Sequence, residues 1–182
     1  MRTLVLCGTP HKNGNTAFLL KEWQKRVPGE YRMVWTYDSE ISPCDDCGAC
    51  QKDTKCIKHD DMDGLYRYWQ TCDTVIVASP VYFSQLTGPL LCVASRFQAI
   101  WNGCYHKNKE KEPSKKGFAF LTGGGSAGKC SDALSGARAI LSVLNAPLLG
   151  SVVACHTDVV PAWQDKDAML ALEACALRAK TV

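Results

Sequence analysis

The chain lacks any long apolar run, any large excess of one charge sign and any secretion signal at its first residues. No stretch approaches the roughly 18 apolar residues of a membrane span, so we expect no membrane partner. A formal net charge of +3 over 182 residues is too small to indicate a nucleic-acid partner. The apolar run within Met1–Cys7 is short and ends at Gly8 and Pro10. Because 11 cysteines without a signal peptide indicate a reducing compartment, we expect a cytoplasmic protein.

Length and composition predict one folded domain over residues 1–182. A hydrophobic content of 46% suffices for one well-buried core, whereas a second full domain would be cramped. The densest basic run, HKNKEKEPSKK at residues 106–116, also contains two glutamates and a proline. We interpret this basic run as a solvated loop and assign it no function.

Short apolar runs alternate with amphipathic stretches, and turns rich in glycine, proline and polar residues separate them. This alternation predicts a parallel sheet with helices on both faces. Five strands with a functional first turn favour a flavodoxin-like, doubly wound α/β fold with strand order 2-1-3-4-5. The predicted strands are Thr3–Gly8, Tyr31–Tyr37, Thr74–Pro80, Gly117–Gly123 and Gly150–Thr157. The predicted helices are Thr16–Val27, Asp60–Cys72, Leu86–Trp101, Cys130–Asn145 and Asp165–Lys180.

The turn after the first strand, CGTPHKNGNT at residues 7–16, places small residues, amides and hydroxyls directly before a helix. A helix start offers unpaired N–H groups and partial positive charge, so we predict a phosphate site there. The turn matches neither a Walker A motif nor GxGxxG, so ATP and NAD fit poorly. Its candidate contacts are Thr9, His11, Asn15 and Thr16. The alternative is an ordinary turn with Asn15 or Thr16 as the helix N-cap and a solvent-exposed His11.

Two later turns reach the same carboxyl edge of the predicted sheet. The third strand ends in SPVYF, and the fourth is followed by TGGGSAG, whose GxGxxG match is weak because it does not follow the first strand. An aromatic pair at a strand exit is consistent with plain core, but beside a phosphate loop it also offers a wall for a planar ring. Together the three turns predict a flat ligand with one phosphate, which FMN matches. The candidate ring contacts are Pro80, Val81, Tyr82, Phe83, Thr122, Gly123, Gly124 and Gly125.

A compact set of four cysteines, Cys44, Cys47, Cys50 and Cys56, lies in the segment 41–59 after the second strand. Three thiols spaced by two residues, with a fourth a short loop away, suit an iron–sulfur cluster. The alternatives are a four-cysteine zinc site, a redox dithiol of Cys44 and Cys47, and free structural thiols.

These motifs, in this order and spacing, resemble the NADPH-dependent FMN reductase and iron–sulfur flavoprotein family. The resemblance rests on GTPHKNGNT, on ISPCDDCGAC with Cys56 and the pair Asp60 and Asp61, on SPVYF and on TGGG. It implies that the loop Thr9–Thr16, Asn13 included, binds the FMN phosphate and that the two later turns bind the isoalloxazine. It also implies a [4Fe–4S] cluster on the four cysteines, and homodimers or homotetramers with the flavin near a subunit interface.

The chain departs from the family pattern after the SPVYF turn. Where relatives carry a pattern like SGxxKxxxDR, this chain has TGPLLCVASR, so Leu91 and Ser95 replace a lysine and an aspartate while Arg96 remains. We expect the helix to be kept and its polar contacts to change.

The predicted activity is that of an FMN-binding redox protein. One hypothesis is an NAD(P)H-dependent reductase, or an iron–sulfur flavoprotein fed by a ferredoxin-like donor, that passes electrons to a small-molecule acceptor. The alternative is a flavodoxin-type electron carrier without reductase activity. Because the cofactor supplies the chemistry, no catalytic side chain is predicted.

Overall fold

The computed structural model describes residues 1–53, 55–106 and 112–181. Its five strands form one parallel sheet with the order β2-β1-β3-β4-β5, which confirms the predicted flavodoxin-like topology. The strands are β1 (Arg2–Cys7), β2 (Glu30–Trp35), β3 (Thr74–Pro80), β4 (Lys116–Thr122) and β5 (Leu148–Ala154). The three central strands are buried almost throughout, as expected where helices cover both faces of a parallel sheet.

The helices pack on the two faces of this sheet. They are α1 (Asn15–Arg26), α2 (Ala49–Asp53), α3 (Met62–Thr71), α4 (Gly88–Ser95), α5 (Gln98–His106), α6 (Ser131–Val143) and α7 (Lys166–Lys180). Alternate residues of each strand serve alternate faces. In β4, Phe118 and Phe120 pack with α1 and α7, whereas Ala119 and Leu121 pack with α3, α4 and α6. Each face therefore buries its own hydrophobic cluster.

The predicted helix Leu86–Trp101 is wrong as one element, because the chain bends between α4 and α5. At the bend the amides of Arg96 and Phe97 bond three residues back, to Val93 O and Ala94 O. This tight turn ends α4 and directs the Arg96 side chain away from the helix axis, into the segment that carries the four cysteines. The short helix α2 within that segment was not predicted.

The boundaries of β5 and β2 differ most from the predictions. Strand β5 begins earlier than Gly150, because the Gly117 amide pairs with Pro147 O at the start of the β4–β5 ladder. It ends before His156, whose φ of +58° turns the chain out of extended geometry. Strand β2 ends at Trp35, where the Asp38 amide closes a turn onto Trp35 O.

Within the described residues, no helix is long and apolar enough to cross a membrane. Residues 107–111 of the basic run 106–116 lie outside the described residues. The carboxyl ends of all five strands meet at one edge of the sheet, where parallel α/β proteins bind ligands.

Candidate functional site

The loop after β1 leads directly into the start of α1 at the carboxyl edge. Phe18 N is the first helix amide to bond back, to Gly14 O at 2.9 Å, so the amides of Asn15, Thr16 and Ala17 have no acceptor within the helix. The first turn of α1 carries no acidic residue. These three amides and the positive end of the helix dipole suit an anionic group.

Gly14 is the N-cap of α1, so the alternative with Asn15 or Thr16 as N-cap is wrong. Asn15 Oδ1 instead accepts a hydrogen bond from Ala162 N at 2.8 Å, which ties the loop after β5 to the helix start. Lys21 Nζ donates to Asn13 Oδ1 at 2.9 Å. The side chains of His11 and Asn13 are exposed, so both face the solvent side of the predicted phosphate site.

Thr16 joins the first loop to the glycine loop after β4. Its hydroxyl lies 2.7 Å from the hydroxyl of Thr122, and both residues are buried. One hydroxyl must donate to the other, which leaves the accepting hydroxyl a proton to donate elsewhere. Thr9 is also buried, and its Oγ1 accepts from His11 N at 3.2 Å, so it shapes the backbone of the loop.

The turn after β3 holds its residues in an uncommon conformation. Tyr82 and Gln85 exchange two backbone hydrogen bonds of 3.0 and 2.9 Å, and the residues between them, Phe83 and Ser84, have φ of +52° and +63°. Positive φ at both central positions is the geometry of a type I′ turn, which favours asparagine and glycine. Phe83 is fully exposed, so no packing of the described residues accounts for its aromatic ring. Strain of this kind persists mainly at functional sites.

The glycine loop after β4 approaches the loop after β5 closely. A Cβ on Gly124 would lie 2.0 Å from Asp158 Oδ2, so the carboxylate occupies the space beside this residue that a side chain would need. Backbone hydrogen bonds from Thr157 N to Gly123 O and from His156 N to Gly125 O fix the two loops together.

An open depression of about 370 Å³ lies between the turn after β3 and the glycine loop. This volume is within the range of small-molecule sites. It brings together four of the predicted ring contacts, and Ser84 and Cys130 also line it, although the sequence analysis did not propose them. The predicted residues that line it are Val81, Phe83, Gly123 and Gly125.

The four predicted metal ligands line one pocket between the segment 44–58 and the α4–α5 junction. Cys44, Cys47, Cys50 and Cys56 all contribute to its wall. Its free volume is about 20 Å³, which is room for roughly one water molecule. Within the part of the chain that the structure describes, no three His, Cys, Asp or Glu side chains converge as ligands of a single metal ion.

Buried Arg96 anchors the cysteine segment. Its side chain is 1% exposed, and its Nη1 lies 2.6 Å from Asp60 Oδ2 and 2.9 Å from Ser42 O. Its Nη2 donates to Lys58 O at 3.2 Å. Arg96 thus holds the beginning and the end of the segment at one point. Its Nε is buried without a hydrogen-bond partner in the described residues.

Two further side chains of the α4–α5 region touch the cysteines. Ser95 Oγ accepts from Cys44 N at 2.9 Å, so the residue that replaces the aspartate of the family pattern makes its own contact. Asn102 Nδ2 donates to Cys50 Sγ at 3.0 Å. The hydrogen bond of Ser95 is one of the changed polar contacts that we expect after the SPVYF turn.

Arg96 and Asp60 form the most buried ion pair among the described residues of this region. Burial raises the pKa of Asp60, but hydrogen bonds from Arg96 and from the amides of Met62 and Ser42 outweigh it, so the pKa lies below its usual range. Burial lowers the pKa of Arg96, whereas Asp60 and neighbouring Cys56 raise it, with a net increase. Arg96 therefore stays a cation beside the pocket of thiols.

Comparison with known proteins identifies the family of this chain. The sequence profile of the family described as NADPH-dependent FMN reductase matches residues 1–159. The chain belongs to the NADPH-dependent FMN reductase family. An iron–sulfur flavoprotein of Methanocaldococcus jannaschii is 29% identical over 112 residues, which cover 60% of this chain and 58% of that protein. An iron–sulfur flavoprotein of Archaeoglobus fulgidus is 33% identical over 93 residues, which cover 50% of this chain and 42% of that protein.

The chain spans about half the length of the curated relatives it matches. Among solved structures, an FMN-dependent NADH-azoreductase from Bacillus anthracis in complex with FMN aligns over 99% of this chain and all of its own. Its TM-score is 0.66 and its identity 11%, so this similarity concerns the fold.

The site of this FMN reductase family member fits FMN. Three amides at a helix start, which have no acceptor within the helix, suit the phosphate, and the depression with its glycine loop suits a planar ring. The residue types of the cysteine pocket suit an iron–sulfur cluster, because thiolates are its usual ligands and all four cysteines line this pocket.

Proposed function

We propose that this chain is an FMN-dependent oxidoreductase that takes electrons from NAD(P)H or a ferredoxin-like protein and passes them to a small-molecule acceptor. One observation carries the proposal: a helix start with free amides and a depression lined by a glycine loop lie side by side at one sheet edge. The hydrogen bond between Thr16 and Thr122 connects the two parts.

Each part has a distinct task in this proposal. The amides of Asn15, Thr16 and Ala17 hold the phosphate, and the free hydroxyl proton of the Thr16–Thr122 pair adds a donor. Val81 and Phe83 form an apolar wall that excludes water from one side of the ring. The backbone of Gly123–Gly125 approaches the ring edge. When bound, FMN supplies one- and two-electron chemistry.

We further propose that Cys44, Cys47, Cys50 and Cys56 bind a [4Fe–4S] cluster that handles single electrons. The shared pocket supports this set because it brings the four cysteines together, and the hydrogen bond from Asn102 to Cys50 Sγ and the cation of Arg96 support it because both stabilise thiolate charge. The curated relatives of the chain bear the name iron–sulfur flavoprotein.

Anaerobic purification followed by an absorbance spectrum tests both cofactors, with FMN, iron and acid-labile sulfide quantified per chain. We expect one FMN and about four irons and four sulfides. Cys47→Ser should lose iron and keep FMN, whereas Cys175→Ala, on α7 at the opposite face of the sheet, should keep both. FMN without iron would refute the cluster alone, and the absence of both cofactors would refute the whole proposal.

The electron donor is tested separately. Steady oxidation of NADPH or NADH with a quinone, nitro or azo acceptor supports a reductase. The second candidate, a flavodoxin-type carrier, is favoured by the exposed aromatic pair Tyr82 and Phe83 at the rim of the depression, which suits contact with a protein partner. A carrier would exchange single electrons with ferredoxin and would show no steady NAD(P)H oxidation.

We propose that the chain assembles as a homodimer or homotetramer through the same rim. Val159 and Trp163, in the loop after β5, are 81% and 52% exposed, and Phe83 is fully exposed in the turn after β3, so apolar side chains lie exposed in two loops of the carboxyl edge. Light scattering after size exclusion tests this, and Phe83→Ser should shift the mass towards a monomer. A monomeric wild-type chain would contradict it.

A further inference from the structure

Cys130 and Cys155 bring two sulfur atoms within 3.8 Å of each other at the carboxyl edge of the sheet. Cys130 ends the 3₁₀ turn Ala127–Cys130 after β4, and Cys155 directly follows β5. Neither belongs to the set of four cysteines proposed to bind a cluster. Cys130 is buried and Cys155 half-buried.

The contact between the sulfurs depends on the backbone around Cys155. Ala154 O accepts from Gly123 N at 2.9 Å, and His156 N donates to Gly125 O at 3.1 Å, so the residues on both sides of Cys155 bond to the glycine loop. Two thiols held this way need only approach to about 2 Å to form a disulfide.

The sulfur pair adjoins the proposed flavin site. Cys130 lines the depression together with Val81, Gly123 and Gly125. The position of a Cβ on Gly123 lies 3.5 Å from Cys130 Sγ. A ring that rests on the glycine loop would therefore lie close to this thiol.

We propose that Cys130 and Cys155 are a redox-active dithiol that exchanges an electron pair with the flavin bound in the depression. The proposal rests on the proposed function, since it requires the flavin. In the oxidising direction the two S–H bonds break and one S–S bond forms, and two electrons and two protons pass to the oxidised isoalloxazine. The reverse transfer restores both thiols.

The surroundings of Cys155 slow the reaction of this dithiol with oxidants in solution. Burial, the neighbouring Cys130 and the charge of Asp165 raise the pKa of Cys155 to about 11. Because the thiolate is the reactive form, Cys155 at neutral pH reacts slowly with oxidants in solution. A flavin bound in the depression lies close to this dithiol and therefore reacts with it faster than an oxidant in solution does.

The first test equilibrates the flavin-free full chain in glutathione buffers from reduced to oxidised until the thiol content is constant, because Cys155 reacts slowly; samples are then quenched by alkylation and digested with trypsin. The peptides 130–138 and 139–166 contain one cysteine each, so their cross-link identifies this disulfide without ambiguity. We expect the cross-link to appear as the buffer becomes oxidising and to vanish in Cys155→Ser and in Cys130→Ala. Cys175→Ala should behave as the wild type. Absence of the cross-link in the wild-type chain overturns the dithiol, whatever FMN does.

The second test uses the FMN-loaded chain under anaerobic conditions, started once from oxidised flavin with free thiols and once from photoreduced flavin with the disulfide. We expect both mixtures to reach the same ratio of oxidised flavin to cross-linked peptide, with one flavin changed per disulfide. Cys155→Ser should leave photoreduced flavin unchanged. Mixtures that stay as prepared overturn the exchange. Failure to bind FMN overturns the proposed function instead, since the glutathione test does not depend on it.

Discussion

The loops after β1, β3 and β4 that we propose to bind the flavin, called the flavin edge below, and the cysteine segment 41–59 are held in different ways. At the flavin edge, backbone hydrogen bonds continue the sheet beyond its strand ends, from Gly8 N to Ala78 O, from Val81 N to Thr122 O and from Gly123 N to Ala154 O. The cysteine segment is fastened by side chains, chiefly Arg96 with Asp60. The fold itself thus positions the flavin site, whereas a few side chains position the cysteines. One substitution should therefore detach the second region and spare the first.

Arg96→Met is expected to have the largest effect. It leaves half-buried Asp60 without its cation and Ser42 O without its donor, and we expect a cost at the low end of the about 3–5 kcal/mol that breaking a fully buried pair entails. Urea unfolding should show this loss, and iron content should fall. FMN affinity should change little, because the flavin edge does not use Arg96.

The matched control for Arg96→Met is Lys25→Gln, which removes an exposed ion pair with Glu22 on α1. Such pairs contribute well under about 1 kcal/mol. Equal losses of FMN and iron in Arg96→Met would contradict the independence of the two regions.

Gly8→Ala adds a side chain at the flavin edge itself. Its Cβ would lie 2.6 Å from Thr87 Oγ1 and 3.1 Å from Leu90 Cβ, inside a buried junction between the end of β1 and the start of α4. We expect a loss of about 2–3 kcal/mol in unfolding free energy and weaker FMN binding. Gly88→Ala is the control, because its Cβ meets open space. An unaltered FMN affinity in Gly8→Ala would show that this junction does not position the site.

Acid should loosen the cysteine segment through Asp60. Its folded pKa is depressed, so the stability it provides is present above its unfolded pKa of about 3.9 and is lost as pH falls through the folded value. We expect Asp60→Asn to cost about 1.5 kcal/mol at pH 7 and the gap to the wild type to narrow below about pH 4. Urea midpoints from pH 7 to pH 3 measure this. A gap that is independent of pH would exclude the ionised carboxylate as the cause.

Phe83→Gly is expected to change stability least. Glycine relieves the positive φ of +52° but adds freedom to the unfolded chain, so the unfolding free energy should stay within about 1 kcal/mol of the wild type or rise slightly. FMN affinity should fall, because an apolar wall of the depression is lost. A loss of stability with full FMN affinity would mean that the ring serves the fold rather than the ligand.

The sheet and its order were predictable because periodicity reports which residues are buried. Continuous apolar runs such as Thr74–Pro80 identified central strands, and the turns between them identified the carboxyl edge. The bend between α4 and α5 was not predictable, since both halves share one apolar pattern and only a distant partner, Asp60, explains where Arg96 points.

The site was predictable in part for the same reason. Loops rich in polar residues and glycine indicated the flavin edge. The individual predicted contacts remain predictions. The single domain over residues 1–182 also remains a prediction. The pairing of Cys130 with Cys155 lay beyond local patterns, because the two residues are 25 positions apart and meet only through the β4–β5 register. The one sequence signal for this pair was the position of Cys130, two residues after the last glycine of the loop TGGGSAG.

Titration of the flavin-free chain with FMN and, in parallel, with riboflavin tests the central claim most directly. The two ligands share the ring and differ in the phosphate that we assign to the start of α1. We predict one FMN per chain, and riboflavin weaker by at least about tenfold, as expected for the loss of charge-assisted hydrogen bonds. Equal affinity for the two ligands, or no binding of either, would contradict the account.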